Sequence, residues 1–175
     1  MKQIINNSEF ENLDCEELFD LISEQFHSEM KESLAIVNMQ LETVLKSGKK
    51  EIGGAVTTIQ SIREKFLEYI DMENHLLFPL LPINDKKHID VKEEKNLAEF
   101  ISDLKERHQG MKKQFQQIRY TTNGYKCDID SSPSHKLAFT QLKDLEQDFN
   151  HLFFVEEEYL FPRFFSSQSS KINCK

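Results

Sequence analysis

The sequence predicts an all-α fold, an up-down-up-down antiparallel four-helix bundle, and three observations lead to that prediction. Apolar residues recur three and four positions apart in four long segments, no segment alternates with period two, and most of the few Gly and Pro residues bracket the segments. The expected organisation is an N-terminal extension at residues 1–13, a bundle at 14–165 and a polar tail at 166–175. Within the bundle, the predicted helices span residues 14–46, 54–78, 88–121 and 134–165.

Composition narrows the possible partners and locations. A net charge of −8 argues against nucleic acid as a partner, because phosphate contacts need a basic surface. No apolar run approaches the ~18–20 residues of a membrane span, and residues 1–12 contain no apolar signal region, so we expect no membrane contact. The three cysteines are far apart and form no C-x-x-C pair, so neither a disulfide framework nor a zinc ribbon is expected. These features predict a cytoplasmic protein.

Each predicted helix has one inward stripe, and each stripe contains one titratable residue: His27, Glu73, His108 and Glu156. One such residue in a core is usually satisfied by a local hydrogen bond. One titratable residue in every helix needs another explanation, because two buried carboxylates without partners would become neutral or bind a cation. The stripes are His27, Met30, Leu34, Val37 and Leu41; Ile59, Ile62, Phe66, Tyr69, Glu73 and Leu76; Leu97, Ile101, Leu104, His108, Met111, Phe115 and Ile118; and Leu142, Leu145, Phe149, Leu152, Glu156 and Tyr159.

The four titratable residues are expected near one height in the bundle. His27 lies about 19 residues before the end of its helix and Glu73 about 20 after the start of the next, which matches their depths at about 1.5 Å per residue. The match between His108 and Glu156 is poorer, although the loop at 122–133 is long enough to absorb the difference. Two imidazoles and two carboxylates suit iron, zinc or manganese, and carboxylate-rich sites in four-helix bundles are typical of di-iron proteins.

Four segments resemble hemerythrin-like domains, and in particular the di-iron family that repairs iron-sulfur clusters. The repeated endings "ENHLLFP" and "EEEYLFP" resemble the ends of that family's second and fourth helices, and "ISEQFHSEMKE" and "LKERHQGMKKQFQQIR" resemble its two His segments. The resemblance covers roughly residues 14–165. It implies His27 and His108 as ligands, and Glu73 and Glu156 as carboxylates that bridge two irons.

Two positions depart from that family's H-x-x-x-E pattern. Tyr69 and Leu152 stand where His would be expected, and His151 lies one place before Leu152. Tyr69 is either a phenolate ligand or a core aromatic that hydrogen-bonds Glu73. His151 is five residues from Glu156, so it would reach the site only through a π-bulge between them; in a regular α-helix it would face away.

Three kinds of function remain open from the sequence. The first is a di-iron protein that handles O₂ or NO, or that supplies iron to iron-sulfur proteins for cluster repair under stress. The second is a sensor with one metal ion, and the third is a metal-free interaction module with a buried polar network. His75, Glu157 and Glu158 are expected to be solvated, and the "LFP" endings are expected to seal the bundle with Leu77, Phe78, Leu160 and Phe161.

Overall fold

The computed structural model describes residues 7–80 and 91–166, and every regular element in these ranges is helical, which confirms the predicted all-α fold. The first predicted residues of the third helix, 88–90, lie outside the described ranges. The elements are α1 (Asn7–Asn12), α2 (Cys15–Asp20), a π turn (Leu21–Phe26), α3 (His27–Lys46), a 3₁₀ turn (Lys50–Ile52), α4 (Gly53–Met72), a second π turn (Glu73–Leu77), a 3₁₀ turn (Phe78–Leu80), α5 (Val91–Thr121), α6 (Pro133–Val155), a third π turn (Glu156–Leu160) and α7 (Arg163–Ser166).

Four long helices form the bundle. Helix α3 packs against α4 and α6, and α5 also packs against α4 and α6. This neighbour order is the one expected when successive helices run up and down around a common core. All the predicted inward residues of the first and third stripes are buried, so the three-and-four spacing identifies the core face correctly along α3 and α5.

Local signals in the sequence explain where the helices begin and end. Asp14 and Glu17 form a reciprocal capping box at the start of α2, each side chain accepting a hydrogen bond from the other's backbone N–H. Ser132 caps α6, and Pro133 occupies its first turn, where no backbone N–H is needed. Gly48 has a φ of 102° just after α3, a conformation that glycine adopts without steric cost.

Three π turns interrupt the regular α-helices of the described residues, and a candidate site residue lies at one end of each turn. His27 follows the first π turn, while Glu73 and Glu156 open the other two. In the third, the N–H of Phe161 donates to the carbonyl of Glu156 at 2.8 Å, a bond between residues five apart. Such turns insert one residue into a helix and are common at functional sites.

The π turns also correct two predicted core positions. Leu76 was expected to face inward but is 51% exposed, and Tyr159 is only half-buried. Leu77 and Leu160 are fully buried in their places. A π turn spreads one turn over more residues than an α turn, so the next inward position comes four residues after the glutamate rather than three.

The described part of the predicted N-terminal extension packs on the bundle. Phe10 in α1 is fully buried and contacts the rings of Phe26 and Tyr159, with centroids 6.5 and 5.5 Å away. The guanidinium of Arg163 donates hydrogen bonds to the carbonyls of Phe10 and Leu13. Across the described ranges, no helix combines the length and apolar character needed to cross a membrane.

Candidate metal centre

The four titratable stripe residues meet in one buried cluster. Each of the four helical segments of the bundle provides one of these residues, and each residue is at most 1% exposed: His27, Glu73, His108 and Glu156. The Nε2 atom of His27 lies 3.3 Å from Glu73 Oε2 and 3.4 Å from Glu156 Oε1. Since ligand atoms of His27, Glu73 and Glu156 all lie within 4.8 Å of one another, these three residues form a candidate metal-binding group.

Tyr69 joins the two carboxylates on the other side. Its hydroxyl oxygen lies 2.8 Å from Glu73 Oε1 and 2.8 Å from Glu156 Oε2, and His108 Nε2 lies 3.0 Å away. A phenol has only one proton to donate, so the two short contacts with carboxylate oxygens need a second proton between them. The hydrogen bond to Glu73, which the sequence left as one alternative for Tyr69, is therefore present together with one to Glu156.

Each glutamate presents its two oxygens to opposite sides of the cluster. For Glu73, Oε2 faces His27 and Oε1 faces Tyr69. For Glu156, Oε1 faces His27, while Oε2 faces Tyr69 and also lies 2.9 Å from His108 Nε2. The candidate metal-binding group lies on the His27 side, and on the other side the Tyr69 hydroxyl contacts both carboxylates.

The two buried carboxyls have opposite tendencies to ionise. Burial, and secondarily the charge of Glu156, raises the pKa of Glu73 well above its usual value, with the Tyr69 hydrogen bond opposing. For Glu156, burial also raises the pKa, but hydrogen bonds from His108 and His27 outweigh it and the pKa is lowered. Without a cation, the centre therefore favours one neutral carboxyl, Glu73, and one carboxylate, Glu156. The proton on Glu73 supplies the second proton that the Tyr69 contacts require.

His108 is held on both of its ring nitrogens. Its Nδ1–H donates to Glu157 Oε1 at 2.8 Å, and Lys112 Nζ donates to the same oxygen at 3.3 Å. Burial lowers the pKa of His108, but the hydrogen bonds to Glu156 and Glu157 outweigh it and raise the pKa. The expectation that Glu157 is solvated is wrong, because its side chain turns back towards α5 and is only partly exposed.

Aromatic rings exclude water from the cluster. The His108 ring stacks between Phe153, 4.0 Å away, and Phe161, 5.9 Å away. The His27 ring meets the edge of Phe66 at 5.7 Å, and Phe66 stacks on Tyr69 at 6.3 Å. In such an apolar environment each electrostatic contact within the cluster is stronger than it would be in water.

The candidate ligand His151 lies outside this cluster. It is exposed, and its ring contacts Phe10 and Phe26 at 6.0 and 5.5 Å. Helix α6 is regular through Val155, and the π turn begins only at Glu156, so no bulge rotates His151 inward. Leu152 is fully buried instead, at the position where the resembling family has a histidine. His75 is exposed, as expected.

The cluster's donors fit a divalent transition metal. Two imidazole nitrogens, four carboxylate oxygens and a phenol oxygen form the mixed nitrogen and oxygen set that suits iron, manganese or zinc. Two ligand atoms that each lie about 2.1 Å from one metal at a tetrahedral angle would be about 3.4 Å apart. This is close to the distances from His27 Nε2 to the Glu73 and Glu156 oxygens. Glu73 Oε2 is moreover buried without a hydrogen-bond partner in the described structure, an arrangement that a cation would satisfy.

The fold and the cluster define a class, the helical bundles with a buried centre of histidines and glutamates. A family model for the hemerythrin HHE cation binding domain matches residues 19–164, most of the chain. The protein therefore belongs to that family of metal-binding helical domains. No individual curated protein is similar enough in sequence to count as a match.

Glu157 is a residue of the site that the sequence pattern did not indicate. Three successive glutamates, Glu156 to Glu158, gave no indication of which neighbour of Glu156 would contact another helix. The π turn that begins at Glu156 decides this, because the added residue changes the direction of the side chains that follow it.

Proposed function

We propose that this protein is a non-haem di-iron protein in which Glu73 and Glu156 bridge two irons. The observation that carries the proposal is the opposed orientation of each carboxylate, with one oxygen towards His27 and the other towards Tyr69 and His108. His27 would ligate one iron and His108 the other, and Tyr69 would fill a terminal position beside His108.

The chain's own residues prepare the centre for a small ligand. Leu152 offers no ligand atom at the position where the family that the sequence resembles has a histidine. Fewer protein groups would therefore compete for the coordination positions on iron. Bound iron would supply redox chemistry and an affinity for O₂ or NO. The surrounding Phe side chains exclude water, and in the metal-free centre the Tyr69 hydroxyl contacts both carboxylates. We propose that the protein handles O₂ or NO, or supplies iron for the repair of iron-sulfur proteins under oxidative or nitrosative stress.

Metal content tests the assignment. Protein expressed in iron-rich medium should contain about two irons per chain by elemental analysis. Glu73→Ala and Glu156→Ala should lose most of this iron, because each removes ligands and charge from both irons. Tyr69→Phe should retain more iron, since it removes one terminal group at most. Glu158→Ala is the matched control on the same π turn. Full iron retention in both Glu73→Ala and Glu156→Ala would rule out bridging.

A single-metal or metal-free sensor is the second candidate, and one observation favours it. The contacts around Tyr69 form a closed hydrogen-bonded network at 2.8–3.0 Å without any cation. The unpartnered Glu73 Oε2 lies only on the His27 side. One metal held by His27, Glu73 and Glu156 would satisfy that oxygen and leave the network intact. A stoichiometry of one metal per chain would support this candidate over the di-iron centre, and an absence of bound metal would support an interaction module.

A further inference from the structure

We propose that Glu157 is a positioning residue of the metal centre, which fixes the His108 ring so that its Nε2 atom points to the ligand position. The inference rests on the proposed function, because it assigns Glu157 a part in holding the metal. Glu157 has no contact with the ligand position itself and acts through His108.

The contacts of the ring define how Glu157 acts. The Nδ1–H of His108 donates to Glu157 at 2.8 Å, so Nε2, on the opposite edge of the ring, is directed to Glu156 and Tyr69. A carboxylate that accepts from the outer nitrogen of a ligating histidine fixes the ring and increases the basicity of the inner nitrogen. The ammonium of Lys112 lies 3.3 Å from the same Glu157 oxygen and stabilises its charge.

The other histidine lacks this support. His27 Nδ1 is buried and has no hydrogen-bond partner among the described residues. Its ring packs against the edge of Phe66, and its polar contacts with Glu73 and Glu156 are made by Nε2. The centre therefore has two unequal halves, one whose histidine has polar partners on both ring nitrogens and one whose histidine has them on Nε2 only.

The second copy of the repeated ending does not provide an equivalent group. When "ENHLLFP" and "EEEYLFP" are superposed, Asn74 falls on Glu157, and Asn74 is exposed. An amide at that position carries no charge to increase the basicity of a histidine. Glu157 is thus a feature of one copy alone, and Glu158, exposed on the same π turn, provides a matched control.

Anaerobic titration with Fe²⁺ against a chromophoric chelator tests the inference. We expect Glu157→Ala to bind Fe²⁺ about 10- to 100-fold more weakly than the unsubstituted chain, the usual effect of removing such a partner. Glu157→Gln should recover part of the affinity, because its side-chain oxygen still accepts from Nδ1–H. Glu158→Ala should remain within about twofold of the unsubstituted chain. Circular dichroism would establish that all the variants have the same helical content.

The possible outcomes separate this inference from the proposed function. Equal affinities for Glu157→Ala and Glu158→Ala would overturn the role of Glu157 and leave the metal centre standing. No Fe²⁺ binding by the unsubstituted chain would overturn the proposed function. The metal-free chain then gives an independent readout by ¹⁵N NMR: a slowly exchanging His108 Nδ1–H that Glu157→Ala abolishes and Glu158→Ala preserves. Its persistence in Glu157→Ala would refute the positioning role.

Discussion

The two "LFP" endings share a local sequence and a local structure but differ in their chemistry. In both, a glutamate opens a π turn, is fully buried, and is followed four residues later by a buried leucine. Glu156 contacts both histidines, whereas Glu73 contacts His27 and Tyr69. As a result their pKa values move in opposite directions, up for Glu73 and down for Glu156. The residues on facing helices, rather than the repeated motif, therefore determine the ionisation of each carboxyl.

The two endings also seal the bundle unequally. Phe161 is 1% exposed and stacks near His108, whereas Phe78 is 39% exposed and contacts Phe19. The expectation that all four residues of the two Leu-Phe pairs close the bundle holds for Leu77, Leu160 and Phe161, and is wrong for Phe78. The ending that carries Glu156 is thus the better sealed of the two.

Truncating the two phenylalanines should give the largest difference. Phe161→Ala should destabilise the metal-free protein by about 4 kcal/mol, because it leaves a cavity in the core. Phe78→Ala should cost about 1 kcal/mol, since much of its ring is already in water. Urea unfolding measures both values. Similar losses for the two variants would mean that the two endings are equally sealed.

Replacing each of the two glutamates with glutamine in turn should give the second-largest difference in stability. Glu156→Gln should destabilise the metal-free protein by about 3 kcal/mol, because it removes the carboxylate that pairs with two buried histidines. Glu73→Gln should not destabilise the protein, since an amide is close to the neutral carboxyl already favoured there and requires no proton uptake on folding at pH 7. Chemical unfolding with a chelator present at pH 7 compares them. The reverse order would contradict the assignment of the charge to Glu156.

The pH dependence of stability sharpens the same contrast. The pKa of Glu73 is raised in the folded chain. The stability that this group contributes to folding is therefore fully present below its unfolded pKa of about 4.5, and is lost as pH rises through its folded pKa. His108 behaves likewise above 6.5, whereas the contribution of Glu156 is lost as pH falls below 4.5. The metal-free protein should therefore lose stability as pH rises above 4.5 through Glu73, and additionally above 6.5 through His108. Glu73→Gln should reduce that slope by up to about 1.4 kcal/mol per pH unit. An unchanged slope would mean that folding does not raise the pKa of Glu73.

The smallest effect is expected at His151. His151→Gln should leave the iron content per chain unchanged, because the side chain is exposed on a regular stretch of α6. It should also change stability by less than about 0.5 kcal/mol, as is usual for surface substitutions. Elemental analysis measures the iron content of the variant and of the unsubstituted protein, and urea unfolding measures their stabilities. A loss of iron would place His151 in the centre and contradict the geometry described above.

Periodicity and chain breakers were sufficient to predict the helices and the four residues that meet at the centre. The first predicted helix, 14–46, agrees within a residue with the continuous helical stretch from Cys15 to Lys46, because capping by Asp14 and the turn at Gly48 are local effects. His27, Glu73, His108 and Glu156 were identifiable because each interrupts an apolar stripe. The fixed rise of an α-helix predicted a common height for His27 and Glu73, and a less close match for His108 and Glu156.

Tertiary structure alone decided the phase of the π turns and the partners of each polar group. Neither Leu76 nor Tyr159 could be excluded from the core by counting threes and fours, because the added residue in each π turn is not visible in the sequence. The link from Glu157 to His108 spans 49 residues along the chain, so it exists only when α5 lies beside the end of α6. The sequence by itself determined the core face of each long helix as far as the π turns. The packed helices determined which of those side chains share a proton, and therefore which carboxyl is charged, because burial and the nearest neighbours fix each pKa.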